Sequence, residues 1–70
     1  MEIVLNGQPR EVSIDTQAAT LEVLIAALEM KADRIAVECN GEIVRRAAWA
    51  TTPVRSGDRL EIVHFVGGGL

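Results

Sequence analysis

Three consecutive glycines, Gly67-Gly68-Gly69, follow the apolar run "VHFV", and only Leu70 comes after them. An anion-cradling loop of the usual kind needs a helix N-terminus after the glycines or a Lys-Ser/Thr pair, and this tail has neither. Glycines at a chain end supply a backbone without side-chain bulk, able to thread a narrow channel and present a terminal carboxylate. A carboxylate resists nucleophiles until one of its oxygens becomes a leaving group. The chemistry open to such a tail is therefore adenylation by ATP followed by thiolysis or aminolysis, which makes the tail a carried substrate.

The other reactive residue types read differently. Cys39, the single cysteine, has no partner for an internal disulfide, and its alternation with Ile35 and Val37 places it on an apolar face. That position suits a small core hydrophobe better than a nucleophile. His64 is the only histidine, so no His/Cys set has metal-ligand spacing, and no Ser, Cys or Asp is suitably placed to make it a general base. The acidic residues are spread without a pair that suggests acid/base work, so no active site of its own and no bound cofactor or metal is expected. Ten acidic residues against seven basic ones give a net charge of -3, which repels phosphates, and nucleic acid is not an expected partner. Arg45, Arg46, Arg55 and Arg59 either steer docking onto an acidic partner or are scattered surface charges. "MEIVLNG" has no basic segment leading into a long apolar stretch, and the apolar run near Leu24 to Leu28 is too short to span a bilayer. A soluble protein of a reducing cytoplasm is the expectation, without membrane contact.

Seventy residues make one domain, 49% hydrophobic but only 3% aromatic, so the core must be aliphatic with Trp49 and Phe65 as its only large rings. Ile3 and Leu5 alternate with Glu2, Val4 and Asn6, Asn6-Gly7 signals a hairpin, and Val12 and Ile14 resume the alternation with Glu11 and Ser13. Pro9 argues for a loop longer than two residues there, because it cannot donate a ladder hydrogen bond. Leu21, Leu24, Ile25 and Leu28 then share one helix face over about three turns, with Thr20 as N-cap and Glu22 in the first turn. Ile35, Val37 and Cys39 mark a third strand, Asn40-Gly41 a second hairpin, and residues 42–45 a fourth strand. "RAAWATTPVRSGD" reads as connection, with a short helical turn around Trp49 that anchors a partner or closes the core edge. "RLEIVHFV" is the last strand, Leu60 and Ile62 on one face, Glu61, Val63 and Phe65 on the other. One helix covers one face of a small mixed sheet in a two-layer α+β domain over residues 1–66, followed by a flexible tail at 67–70. The other face stays open. Val4, Val63 and Phe65 fall on or near it, and they form a partner-binding patch unless Phe65 tucks against a loop.

The segment "ECNGEIVRRAAWATTPVRSGDRLEIVHFVGGG" resembles the ThiS-type sulfur carriers of thiamin thiazole biosynthesis, which are ubiquitin-like β-grasp proteins. "NGEIV", "WATTPV", "GDRLEIV" and the run into the glycines carry the resemblance, which extends over essentially the whole chain. It implies a protein co-substrate whose terminal glycine carboxylate is adenylated by a ThiF/MoeB-like enzyme related to ubiquitin-activating enzymes, with ATP consumed there. A sulfur donor such as a cysteine desulfurase then supplies the sulfur of a thiocarboxylate, and the thiazole synthase ThiG accepts it. Family members that work directly end at the second glycine of the pair, here Gly69, which makes Gly69 the expected activated residue with Gly67 and Gly68 as its lead-in. Leu70 departs from that pattern, so either a peptidase removes it or it is a remnant of an appended sequence. Two alternatives stand beside this reading: a carrier like the small subunit of molybdopterin synthase, and a β-grasp module that binds partners non-covalently through Val63 and Phe65.

Overall fold

A computed structural model describes residues 1–65. Its strands are β1 (Glu2–Leu5), β2 (Gln8–Glu11), β3 (Ile35–Cys39), β4 (Glu42–Val44) and β5 (Arg59–His64), and its α-helix is α1 (Leu21–Ala27). Short 3₁₀ segments occupy Ala32–Arg34 and Arg46–Thr51. The sheet runs β2-β1-β5-β3-β4, with β1 and β5 parallel and the other neighbours antiparallel. The mixed sheet with one covering helix is the arrangement expected from the sequence.

Both hairpins turn on Asn-Gly. Asn6 and Gly7 have φ of 50° and 82°, Asn40 and Gly41 of 52° and 88°, so each pair occupies the left-handed region that a two-residue turn between twisted strands requires. The first loop is therefore shorter than Pro9 suggested: Leu5 pairs with Gln8, and Pro9 sits inside β2 opposite Val4. The reason lies in the sheet order. β2 is an edge strand, and at a non-hydrogen-bonded pair the missing Pro9 N–H faces away from β1, where no ladder bond is lost. Val12 and Ile14, read as part of the second strand, lie past its end, Val12 still buried in the core.

Thr20 caps α1 as expected, its Oγ1 accepting from the Val23 N–H at 3.3 Å, with Glu22 in the first turn. The helix holds seven residues, about two turns instead of three. Glu29 ends it by taking φ of 59°, which lets its N–H reach the Ala26 carbonyl and the Met30 N–H reach that of Ile25. These are the two bonds of a Schellman cap, formed here without the usual glycine. A hydrogen-bonded crossing, Leu21 N–H to Thr52 O and Val54 N–H to Ala19 O, ties the start of α1 to the "TTPV" segment.

The core sits between α1 and one face of the sheet. Ile3, Leu21, Leu24, Leu60 and Val37 are its most enclosed side chains, joined by Ile25, Ile35, Ile62 and Val54. Trp49 closes the edge of this core, buried, with its indole N–H donating to the Val44 carbonyl at 3.0 Å. No side chain of polar or charged type is buried among the described residues.

The open sheet face and the approach to the tail

β5 positions everything near the glycines, because it is the central strand and the last element before them. Leu60 and Ile62 point into the core, while Val63 is 61% and Phe65 49% exposed. Both predicted partner-binding residues thus stand on the surface; Val4 is half-buried at the other end of the face. The sheet register brings a third group to them. Val63 lies opposite Ala36, and on the next row Glu61, Glu38 and Ile43 stand side by side across β5, β3 and β4. Ile43, 77% exposed, is the most solvent-facing large apolar side chain of the described residues, and it was missing from the sequence reading. A three-residue strand with one apolar residue facing outward offers no alternation from which to assign a face.

Phe65 stands between two grooves. One, of about 380 Å³, is lined by Trp49, Ile43, Arg45, Arg46 and Asp33. The other, of about 470 Å³, is lined by Met30, Glu29, Lys31, Arg34 and His64. The arginines noted in the sequence are therefore divided by the fold. Arg45 and Arg46 flank Phe65, and Lys31 and Arg34 join them from the connection before β3. Arg55 and Arg59 belong to the opposite end of the sheet, beside Asp58 and the Asn40-Gly41 turn. The one ion pair among the described residues joins the Met1 amino group to Glu11, so the cations around Phe65 hold no carboxylate within salt-bridge distance there.

Two asparagines fasten β5. The Ile62 N–H donates to Asn6 Oδ1 at 2.7 Å and Asn6 Nδ2 donates to the Ile62 carbonyl at 3.2 Å. Asn40 accepts from the Arg59 N–H through Oδ1 at 2.9 Å and donates through Nδ2 to Asp58 at 3.2 Å. Cys39 packs half-buried against the core, and burial, with Asp58 and Glu42 nearby, pushes its thiol above the usual range. That disfavours the thiolate, as a structural role requires. His64 is exposed. No cluster of potential metal ligands occurs among the described residues, and no helix there is long and apolar enough to cross a membrane. The expected tail, Gly67, Gly68, Gly69 and Leu70, lies outside the described residues.

Residues 3–69 match the ThiS family. A thiazole synthase of Paramagnetospirillum magneticum is 42% identical over 69 residues, covering 99% of this chain but 20% of that protein. This chain therefore spans about a fifth of the length of such relatives. The sulfur carrier protein ThiS of Bacillus subtilis is 35% identical over 93% of this chain and 96% of its own length. Among solved structures, the crystal structure of a thiamine biosynthesis protein (ThiS) from Geobacter metallireducens superposes with a TM-score of 0.82 at 36% identity, covering 99% of this chain and all of that one.

Proposed function

The chain belongs to the ThiS family, and from that premise we propose that it is a sulfur carrier of thiamin biosynthesis whose Gly69 carboxylate, once nothing follows it, is activated and loaded with sulfur. A carboxylate oxygen attacks the α-phosphate of ATP on a ThiF-like adenylating enzyme and pyrophosphate leaves. A persulfide sulfur derived from a donor such as a cysteine desulfurase then displaces AMP to form an acyl disulfide, and attack of a thiol reductant on its sulfur–sulfur bond frees the thiocarboxylate and leaves a disulfide behind. That thiocarboxylate is the nucleophile a thiazole synthase uses. The carrier brings no catalytic group and no resident cofactor; it brings a surface and a tail that fits a channel, and the setting that suits an ATP-consuming relay is the cytoplasm.

The observation that carries this reading is the direct run from β5 through Phe65 into three glycines, beside an exposed apolar patch that a partner must cover. Gly67 and Gly68 add no side chain that would block a channel, and Val63 and Phe65 supply the apolar contacts beside it. Thiazole synthases that contain a segment similar to this chain support a ThiG-type synthase as the sulfur acceptor. Replacing Gly69 by Val, with parent and variant both ending at that residue, tests the proposal. Circular dichroism of the variant should match that of the parent chain, because the buried core is built from residues 3–62, while sulfur transfer in a reaction containing ATP, the adenylating enzyme, a sulfur donor and thiazole synthase should be lost. Transfer at an undiminished rate by Gly69→Val would sink the assignment of Gly69.

A further inference from the structure

Both asparagines that fasten β5 are followed by glycine, and both turns leave that glycine open. Gly7 and Gly41 are exposed, a Cβ on either would meet nothing within 4 Å, and neither N–H donates a hydrogen bond among the described residues. An asparagine amide beside such a nitrogen is thermally labile. The glycine nitrogen, unhindered by a Cβ of its own residue, attacks the asparagine Cγ while its proton passes to solvent. The Cγ–Nδ2 bond breaks, ammonia leaves with a proton taken from water, and a succinimide ring closes. Water then opens the ring at either carbonyl. One opening gives aspartate, and the other, which breaks the original backbone bond, gives isoaspartate. Water is the only co-reactant.

The ring can close only when the asparagine side chain swings off its partners, so in the folded chain the rate follows how often each clamp opens. The two clamps differ in what opening exposes. Asn6 holds both the N–H and the C=O of Ile62, at 2.7 and 3.2 Å, in a partly buried contact on the central strand. Releasing it leaves two backbone groups unpaired in the sheet, where that loss is most costly. Asn40 holds one backbone group, the Arg59 N–H at 2.9 Å, and its Nδ2 reaches the Asp58 carboxylate at 3.2 Å and the Cys39 sulfur at 3.8 Å. All three contacts are exposed, and water can replace each of them. The Asn40 turn also joins β3 to β4, an edge strand of three residues that pairs with β3 alone.

We propose that Asn40-Gly41 is the deamidation site of the folded chain, and that Asn6-Gly7, identical in local sequence, is shielded by its clamp. The inference is independent of the carrier reading. Its product alters the start of β5. Aspartate at position 40 keeps an acceptor for the Arg59 N–H but sets its second oxygen against Asp58 Oδ1, turning a hydrogen bond into a like-charge contact. Asp58 is itself the acceptor for the Arg55 N–H at 2.8 Å, so the turn before β5 is disturbed with it. Isoaspartate adds a backbone atom to a two-residue turn whose length fixes the β3–β4 register.

Peptide mapping by mass spectrometry tests the assignment. The full chain is incubated in mildly alkaline buffer, once folded and once in urea, and the conversion of each asparagine is followed with time. In urea both Asn-Gly pairs should convert. In the folded chain Asn40 should convert at least about threefold faster than Asn6, and Asn6 at least about tenfold more slowly than in urea. Equal rates at the two positions in the folded chain would mean that both react through global unfolding and would overturn the proposal. Faster reaction at Asn6, or no reaction at Asn40 while both convert in urea, would overturn it as well. The consequence is tested separately by Asn40→Asp, which should lower the urea midpoint, and by the same change combined with Asp58→Asn, which should recover it. An unchanged midpoint for Asn40→Asp, or a double variant as unstable as the single one, would overturn the like-charge contact.

Discussion

The two faces of β5 are built from neighbouring residues of one strand, yet they answer to different demands. Leu60 and Ile62 retain 1% and 5% of their exposure, enclosed by α1 and the flanking strands, whereas Val63, one residue on, keeps 61%. Leaving large apolar side chains in water gains nothing for folding, yet Val63, Phe65 and Ile43 are all exposed. The same face sets Glu38 directly opposite Glu61, a like-charge pair that antiparallel strands ordinarily avoid. The inward face is thus shaped by the fold's own stability. The outward face carries exposed apolar side chains that the fold does not need, which is the surface the proposed carrier role assigns to a partner.

The strongest way to break this contrast is on the inward side. Leu60→Ala should destabilise the domain by about 2–5 kcal/mol, since it removes a fully enclosed side chain from a small core. In a chain of this size that lowers the melting temperature by about 8–40 °C. Val63→Ala, one position later, should move stability by no more than about 0.5 kcal/mol. Equal losses in urea titrations of the two variants would mean that the open face is part of the folding core after all.

Next comes the asparagine that fastens the strand. Asn6→Gly keeps the positive φ available but deletes both bonds to Ile62, and should cost about 1–3 kcal/mol, as expected when backbone groups in a partly buried ladder lose their partners. An unchanged denaturation midpoint would show that water replaces the amide at no cost. This clamp was not legible in the sequence. Asn6-Gly7 announced a hairpin, but the partner lies 56 residues away, and nothing local specifies which backbone an asparagine side chain will reach.

A smaller effect is expected from Cys39. Its folded-state thiol titrates above the unfolded one, chiefly because of burial and then because of Asp58 and Glu42. The unfolded chain therefore releases its proton first, and the contribution, complete below the unfolded value of about 8.5, is lost as pH rises through the higher folded value. Chemical denaturation at pH values from about 8 to 10 should show a decline that is shallower in Cys39→Ala. A parent chain and variant with parallel pH profiles would place the thiol in an ordinary environment.

The smallest change in stability is expected at Ile43. Ile43→Ser should leave the melting temperature nearly unchanged, within about 0.5 kcal/mol, and weaken association with the adenylating enzyme or thiazole synthase by about tenfold, as should Phe65→Ala. Unaltered affinity for both variants would remove the patch from the interface. Charge adds a gradation: reversing Arg45 and Arg46 should slow association and flatten its salt dependence, whereas reversing Arg55 should do neither.

The order of strands and the helix, the Thr20 cap, the inward set of β5 and the exposure of Val63 and Phe65 were all legible, because each rests on a local period or a local cap. What escaped was decided at longer range. Pro9 sits inside a strand because β2 happens to be the edge. The helix stops a turn early because Glu29 adopts a left-handed conformation that its residue type does not advertise. Ile43 joins the patch only through pairing across β3, and the arginines sort into two groups only once β4 and β5 are placed on either side of β3.

The most direct test is the intact mass of the chain isolated from its own cells, before and after incubation with ATP, the adenylating enzyme and a sulfur donor. A species ending at Gly69 that gains the mass difference between sulfur and oxygen is the expected result. A chain that keeps Leu70 and never changes mass would contradict the carrier assignment and leave the open face as the site of a purely non-covalent binding module.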